Sequence, residues 1–197
     1  MFEALAGIGA AFGLSGSAGL NAYIPLLIVG VAARYPLNNP LIDLAEPYSL
    51  LSNPWILMLL SVLLIIEMLA DKIPVVDSIN DGIQTFIRPA AGAVLFAASA
   101  NVITDISPVI TLGAGLLTSG GVHATKSLAR PIVTATTGGT GNWVVSILED
   151  IVSFFAAIFA LILPIVTGIV VVFGLIFGVR TLRRRKKKKE EGIVFNG

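Results

Sequence analysis

Cysteine is absent from the 197 residues, there is a single histidine, His123, and charged side chains make up only 13% of the chain. Without thiols there is no disulfide, no thiolate metal site and no cysteine nucleophile. One imidazole with no second histidine or thiol to help it does not build a metal site. With no nucleophile elbow and no second histidine for acid–base work, an enzyme is not the expected class, and no cofactor or metal is expected. The shortage of charge is the most informative of these absences, because a soluble domain carries about 25% charged residues.

What fills the chain instead is apolar: 55% hydrophobic residues and a mean hydropathy of +0.91. Residues 4–33, 47–66 and 151–179 carry no charged side chain, and the shorter windows 89–104 and 106–125 lack Asp, Glu, Lys and Arg. A helix needs about 20 residues to cross the hydrocarbon. The expected fold is therefore all-α, a polytopic helical membrane protein of about five spans. Glu3 stands where a signal peptide would place positive charge, so the first segment reads as a retained helix.

The excess of positive charge sits in one place. Arg180 and Arg183 to Lys189 supply eight positive charges against Glu190 and Glu191, while residues 1–179 hold five basic and ten acidic side chains. Under the positive-inside rule residues 180–197 form a cytoplasmic tail, read as disordered and attracted to anionic lipid headgroups; five spans then place the N-terminus outside. The lipid bilayer is the principal partner, and nucleic acid is not needed to explain the tail.

Two runs exceed one crossing. In residues 2–33 the stretch GLSGSAGLNA, 13–22, followed by Pro25, invites a kink or a re-entrant break; close helix packing through small residues is the alternative. In residues 151–179, Pro164 and three glycines suggest a kinked helix that extends past the membrane. Residues 34–54, with four prolines, read as a cytoplasmic loop with one short interfacial helix, and Trp55 opens the second span.

The charges that remain gather between spans. After Glu67 and Asp71, Pro74 suits a helix start, and Asp77, Asp81, Gln84 and Arg88 then fall at i, i+4, i+7 and i+11 opposite Val76, Ile79, Ile83, Phe86 and Ile87. That segment either lies in the outer interface or turns its polar face inward. Pro89 to Thr104 reads as a packing span, and His123, Lys126 and Arg130 share one face of the next. IVTATTGGTGN, 132–142, reads as a loop leading to Trp143, Glu149 and Asp150.

GLSGSAGLNA at 13–22 and GLLTSGGVHA at 115–124 agree at five of ten positions, and Asn53-Pro54-Trp55 echoes Asn142-Trp143. With five crossings such halves, 1–85 and 103–179, run in opposite directions, the inverted repeat of many transporters. The expected solute or ion pathway is Asn21 and His123 in the interrupted segments 13–25 and 115–126, which would meet near the midplane, with Asp71, Asp77, Asp81, Arg88, Lys126, Arg130, Glu149 and Asp150 near the outer ends of the spans. A noncatalytic membrane scaffold, packing as a homo-oligomer through Gly/Ala-rich helices, is the alternative.

ADKIPVVDSINDGIQTFIRPAAGA at 70–93, GLNAYIPLLIVG at 19–30 and TATTGGTGNWVVSILED at 134–150 resemble the domain-of-unknown-function 4126 family of bacterial integral membrane proteins. The resemblance implies a multi-pass protein of the bacterial plasma membrane and supplies neither a substrate nor a catalytic residue.

Overall fold

The computed structural model describes residues 2–70, 74–100, 106–138 and 141–194. Asp71 and Lys72 lie outside the described residues, as do the side chains of Asp77 and of the basic tail beyond Arg180. Among the described residues the chain is all-helical, without strands: α1 (Phe2–Leu20), α2 (Tyr23–Arg34), a 3-10 turn at Tyr48–Ser52, α3 (Pro54–Ala70), α4 (Pro74–Ala100), α5 (Pro108–Thr137), α6 (Asn142–Ile162) and α7 (Pro164–Val194).

The arrangement is organised around α1, the helix richest in small residues. Gly9 meets the Pro164 carbonyl, Gly13 faces Ala160 and Thr167, Gly16 faces Val171 and Gly19 faces Ser119 and Val122. Small side chains let backbones approach this closely, and serines then bond across the gap. Ser15 Oγ donates to the Gly115 carbonyl at 2.8 Å, while Ser17 Oγ donates to the Ser153 carbonyl at 2.7 Å and Ser153 Oγ returns a bond to the Ser17 carbonyl at 3.1 Å. Leu14, Ala18, Val29, Leu95, Ala157 and Ala160 fill the spaces between these contacts.

The same contacts fix direction. Along α1, residues 9, 13 and 16 meet 164, 167 and 171 of α7, and Gly121 and Thr125 of α5 meet Leu175 and Gly178; α1, α5 and α7 therefore run parallel. Ser17 beside Ser153 and Gly13 beside Ala160 make α6 antiparallel to them, and Phe12 on Phe96 with Gly92 against Ser15 does the same for α4. Each of the two overlong runs is a pair of helices. The first breaks at Asn21 and Ala22, and α2 returns alongside α6, with Leu27 and Ile28 lining a cleft opposite Ile158 and Leu161. The second breaks at Leu163, where Pro164 begins a helix that heads back.

Several sequence expectations change accordingly. α5 runs unbroken through 115–126, so the matching halves do not both contain a break, and 13–22 and 115–124 lie side by side in the same direction: the relation is parallel, not inverted. Pro89 does not start a span but sits inside α4. The Thr/Gly loop is shorter than expected because α5 continues to Thr137, with Thr134 and Thr137 hydroxyls bonding back to Arg130 and Val133 carbonyls and Gly138 taking the left-handed conformation (φ 62°) that ends the helix.

Exposure is inverted relative to a soluble domain. Trp55, Phe86, Leu117, Phe173 and Phe177 are exposed, whereas Asn21, Glu67, Gln84, Arg88, His123 and Lys126 are buried. Two segments, Ile79–Ala100 and Asn142–Ile162, are long and apolar enough to cross a membrane; Tyr23–Arg34, Pro54–Ala70 and Pro164–Arg180 are shorter apolar helices.

Candidate functional site

The break between α1 and α2 is where the buried polar groups meet. Asn21 resolves it at the level of the backbone: its Oδ1 accepts from the N–H groups of Tyr23 (3.0 Å) and Ile24 (3.1 Å), two donors that the start of α2 leaves without intrahelical partners. Its Nδ2 donates to Asp150 Oδ1 of α6 at 2.9 Å. On the other side of the break, Lys126 Nζ of α5 donates to the carbonyl of Leu20, the last residue of α1, at 3.4 Å and pairs with Glu149 at 2.7 Å. A cation there meets the negative end of the α1 dipole.

Deeper in the bundle, Arg88 Nη2 of α4 donates to Glu67 Oε1 of α3 at 2.9 Å, and Ser119 Oγ of α5 donates to the Arg88 carbonyl at 2.7 Å. Leu60 and Glu67, seven residues apart, are the buried residues of α3, so that otherwise lipid-like helix presents one face inward and puts its one charge on it. Tyr23 packs against Gln84, with Glu67 and Arg88 within electrostatic reach. Toward the other end, Arg130 Nη1 bonds Asp81 Oδ2. His123 lies between these pairs on α5, its Nε2 3.2 Å from Thr85 Oγ1 and 3.4 Å from Ser127 Oγ.

The polar face of residues 75–88 is thus turned inward at Gln84 and Arg88, while Ile79, Ile83 and Phe86 face out. The three ion pairs form a graded series. Side-chain exposure is 1% and 2% for Arg88 and Glu67, 4% and 15% for Lys126 and Glu149, and 10% and 25% for Arg130 and Asp81. The layer therefore opens toward the C-terminal end of α5. Gly178 of α7 lies beside Thr125, so the basic segment that starts at Arg180 emerges from that same end.

Of the residues expected to form a pathway, Asn21, Asp81, Arg88, His123, Lys126, Arg130, Glu149 and Asp150 converge in this layer. Asp71 and the side chain of Asp77 fall outside the described residues. The expected set omitted Glu67, Gln84, Tyr23 and Thr85. Glu67 had a readable signal, as the sole charge in the apolar run of α3. Tyr23 and Thr85 had none, since nothing local separates them from ordinary packing residues. Among the described residues no group of three or more His, Asp or Glu side chains is placed to hold a metal ion.

No curated protein and no solved structure matches the chain significantly. A family model described as "Domain of unknown function (DUF4126)" matches residues 8–184, nearly the whole helical body just described. The chain belongs to the DUF4126 family.

Proposed function

We propose that this protein is a multi-pass membrane protein that moves a small polar solute or ion through the charged layer at the α1–α2 break, in the bacterial plasma membrane that the family resemblance implies. The observation that carries the reading is the convergence of three ion pairs, Asn21 and His123 in the interior of a molecule whose outside is apolar. Charge inside a bilayer protein is costly and marks pathways and relays by default. A helix break that exposes backbone termini to such a layer is how many transporters bind solute.

The two hairpins support a reading with seven alternating legs in place of five crossings, of which Ile79–Ala100 and Asn142–Ile162 are long and apolar enough to cross on their own. Splitting residues 2–34 and 142–194 into two legs each gives the seven, the shortest of them α2 with 12 residues. Both counts are odd, so a cytoplasmic basic tail still leaves the N-terminus outside. Everything between the hairpins changes side: residues 35–53 become external, and the layer opens to the cytoplasm rather than outward. Trp55 and Trp143 open α3 and α6 at opposite ends of the bundle, as interfacial tryptophans would. The basic tail then lies against anionic headgroups beside the mouth of the layer.

The scaffold reading is less well supported. It relies on small-residue faces for a second copy, and Gly9, Gly13, Gly16, Gly19, Gly92 and Gly115 are engaged within the chain, which leaves Gly82, Gly113 and Gly174 open. Flux in proteoliposomes tests the choice. Asp81→Asn, at the most exposed pair, is expected to abolish flux of the transported solute while the protein stays folded. Folded variant with unchanged flux would remove Asp81 from the pathway. A single stoichiometric crosslinked partner, with no flux of any solute tried, would favour the scaffold.

A further inference from the structure

The interior of the charged layer holds polar atoms without hydrogen-bond partners among the described residues, and they are of both kinds. Arg88 is 1% exposed and uses Nη2 on Glu67, leaving the N–H groups of Nε and Nη1 unbonded. Gln84, one turn earlier on α4 and equally buried, has an unpartnered Oε1. His123 is 5% exposed with an unpartnered Nδ1. A buried polar group left unbonded costs about 1–3 kcal/mol, and three together in one layer point to something that satisfies them.

The protonation of His123 follows from its neighbours. Thr85 Oγ1 donates its one proton to the Asp81 carbonyl (2.8 Å), and Ser127 Oγ donates its own to the His123 carbonyl (3.0 Å). Both hydroxyl oxygens can therefore only accept from the ring, which places the imidazole proton on Nε2. Nδ1 of the neutral ring is then an acceptor, like Gln84 Oε1. Arg88, Lys126, Arg130 and Asp81 all lie within electrostatic reach of the buried ring.

We infer that the layer binds a small oxyanion that carries its own proton, of the dihydrogen phosphate or bicarbonate kind, with Arg88 donating to its oxygens and His123 Nδ1 and Gln84 Oε1 accepting from its hydroxyl groups. A halide or nitrate satisfies the arginine alone, and a metal cation satisfies the two acceptors but meets the guanidinium. Neither matches the set. Arg88 and Gln84 are four residues apart on α4 and share its buried face, Thr85 beside Gln84 touches His123 Nε2, and Arg88 lies within electrostatic reach of the His123 ring. The inference rests on the transport reading for how the anion reaches so enclosed a patch.

Titration calorimetry on the full chain in lipid nanodiscs, with inorganic phosphate, bicarbonate, nitrate and chloride as probes near neutral pH, tests it. Phosphate or bicarbonate is expected to bind at least about tenfold more tightly than nitrate or chloride, the weight of one hydrogen bond to a charged group. His123→Phe and, independently, Gln84→Leu are expected to erase that preference. Equal binding of phosphate and nitrate, or no heat with any of the four, overturns the inference without recourse to variants. Binding of phosphate with no phosphate flux in proteoliposomes upholds the site and overturns transport. Flux of a solute that phosphate does not inhibit does the reverse.

Discussion

Lys126 joins two helices that share no covalent neighbour: its Nζ lies 2.7 Å from Glu149 of α6 and 3.4 Å from the carbonyl that ends α1. The ammonium thus serves as a helix cap and an ion-pair partner at once. Removing one member of a buried pair leaves the other charge uncompensated, which costs about 3–5 kcal/mol. Lys126→Met and Glu149→Gln are each expected to lower the unfolding midpoint in detergent strongly. The double variant should lose clearly less than the sum, because the orphaned charge is gone. Additive losses would mean that the pair is not coupled.

The absence of cysteine makes the topology directly measurable. Asn39 and Ala135 are exposed, the first in the segment after α2 and the second near the end of α5. Single replacements Asn39→Cys and Ala135→Cys, labelled in intact cells with a membrane-impermeant maleimide, should react from opposite sides. Two hairpins require Asn39→Cys to react from outside and Ala135→Cys only after the cells are opened, like a cysteine placed at Gly197. Five simple spans require the reverse for both positions, so the experiment has no neutral outcome.

The topology was hard to read because a hydropathy pattern counts apolar residues but not reversals. Both reversals occupy one or two residues, at Asn21–Ala22 and at Leu163, inside runs that contain no charge. Their excess length and their Asn, Gly and Pro content showed that something happens there; whether the chain kinks or turns back depends on tertiary contacts such as Gly9 with Pro164. The site was more legible. Charges cost most in the bilayer, so Asp81, Arg88, Lys126, Arg130, Glu149 and Asp150 stood out and do converge. Glu67 could have been added by the same logic. The pairing among them, and the enlistment of Tyr23 and Thr85, depend on helix register, which local sequence does not encode.

Gly92 sets the distance between α4 and α5. A Cβ there would collide with the side chain of Ser119 and approach Ser15 Oγ at 2.9 Å, while Gly115 packs against the Gly92 carbonyl. The three helices α1, α4 and α5 therefore meet at one point with no room to spare. Gly92→Ala should destabilise by about 1–3 kcal/mol through overpacking, and Gly92→Val should prevent folding. Ser119→Gly, which removes the opposing Cβ, should recover part of the loss from Gly92→Ala, measured as the thermal midpoint in detergent. Ser119→Thr in the same background should make matters worse.

Asn21 offers the sharpest test of how the break is held. Its side chain accepts from the first N–H groups of α2 and donates to Asp150. Asn21→Ser keeps a capping oxygen and loses the second bond, for an expected cost of about 1 kcal/mol. Asn21→Asp keeps the cap and improves its match to the helix dipole, yet sets a carboxylate against Asp150 where an amide donor stood. The cap alone predicts that Asp is tolerated; the bond to Asp150 predicts that Asp is worse than Ser. The second is expected, and Asp150→Asn should then rescue Asn21→Asp by restoring a donor opposite an acceptor. Rescue in stability without rescue of flux would separate the structural role of the pair from any part Asp150 plays in the pathway, and failure of both would show that the orientation of Asn21, rather than the sign of its partner, holds the two helices at this angle.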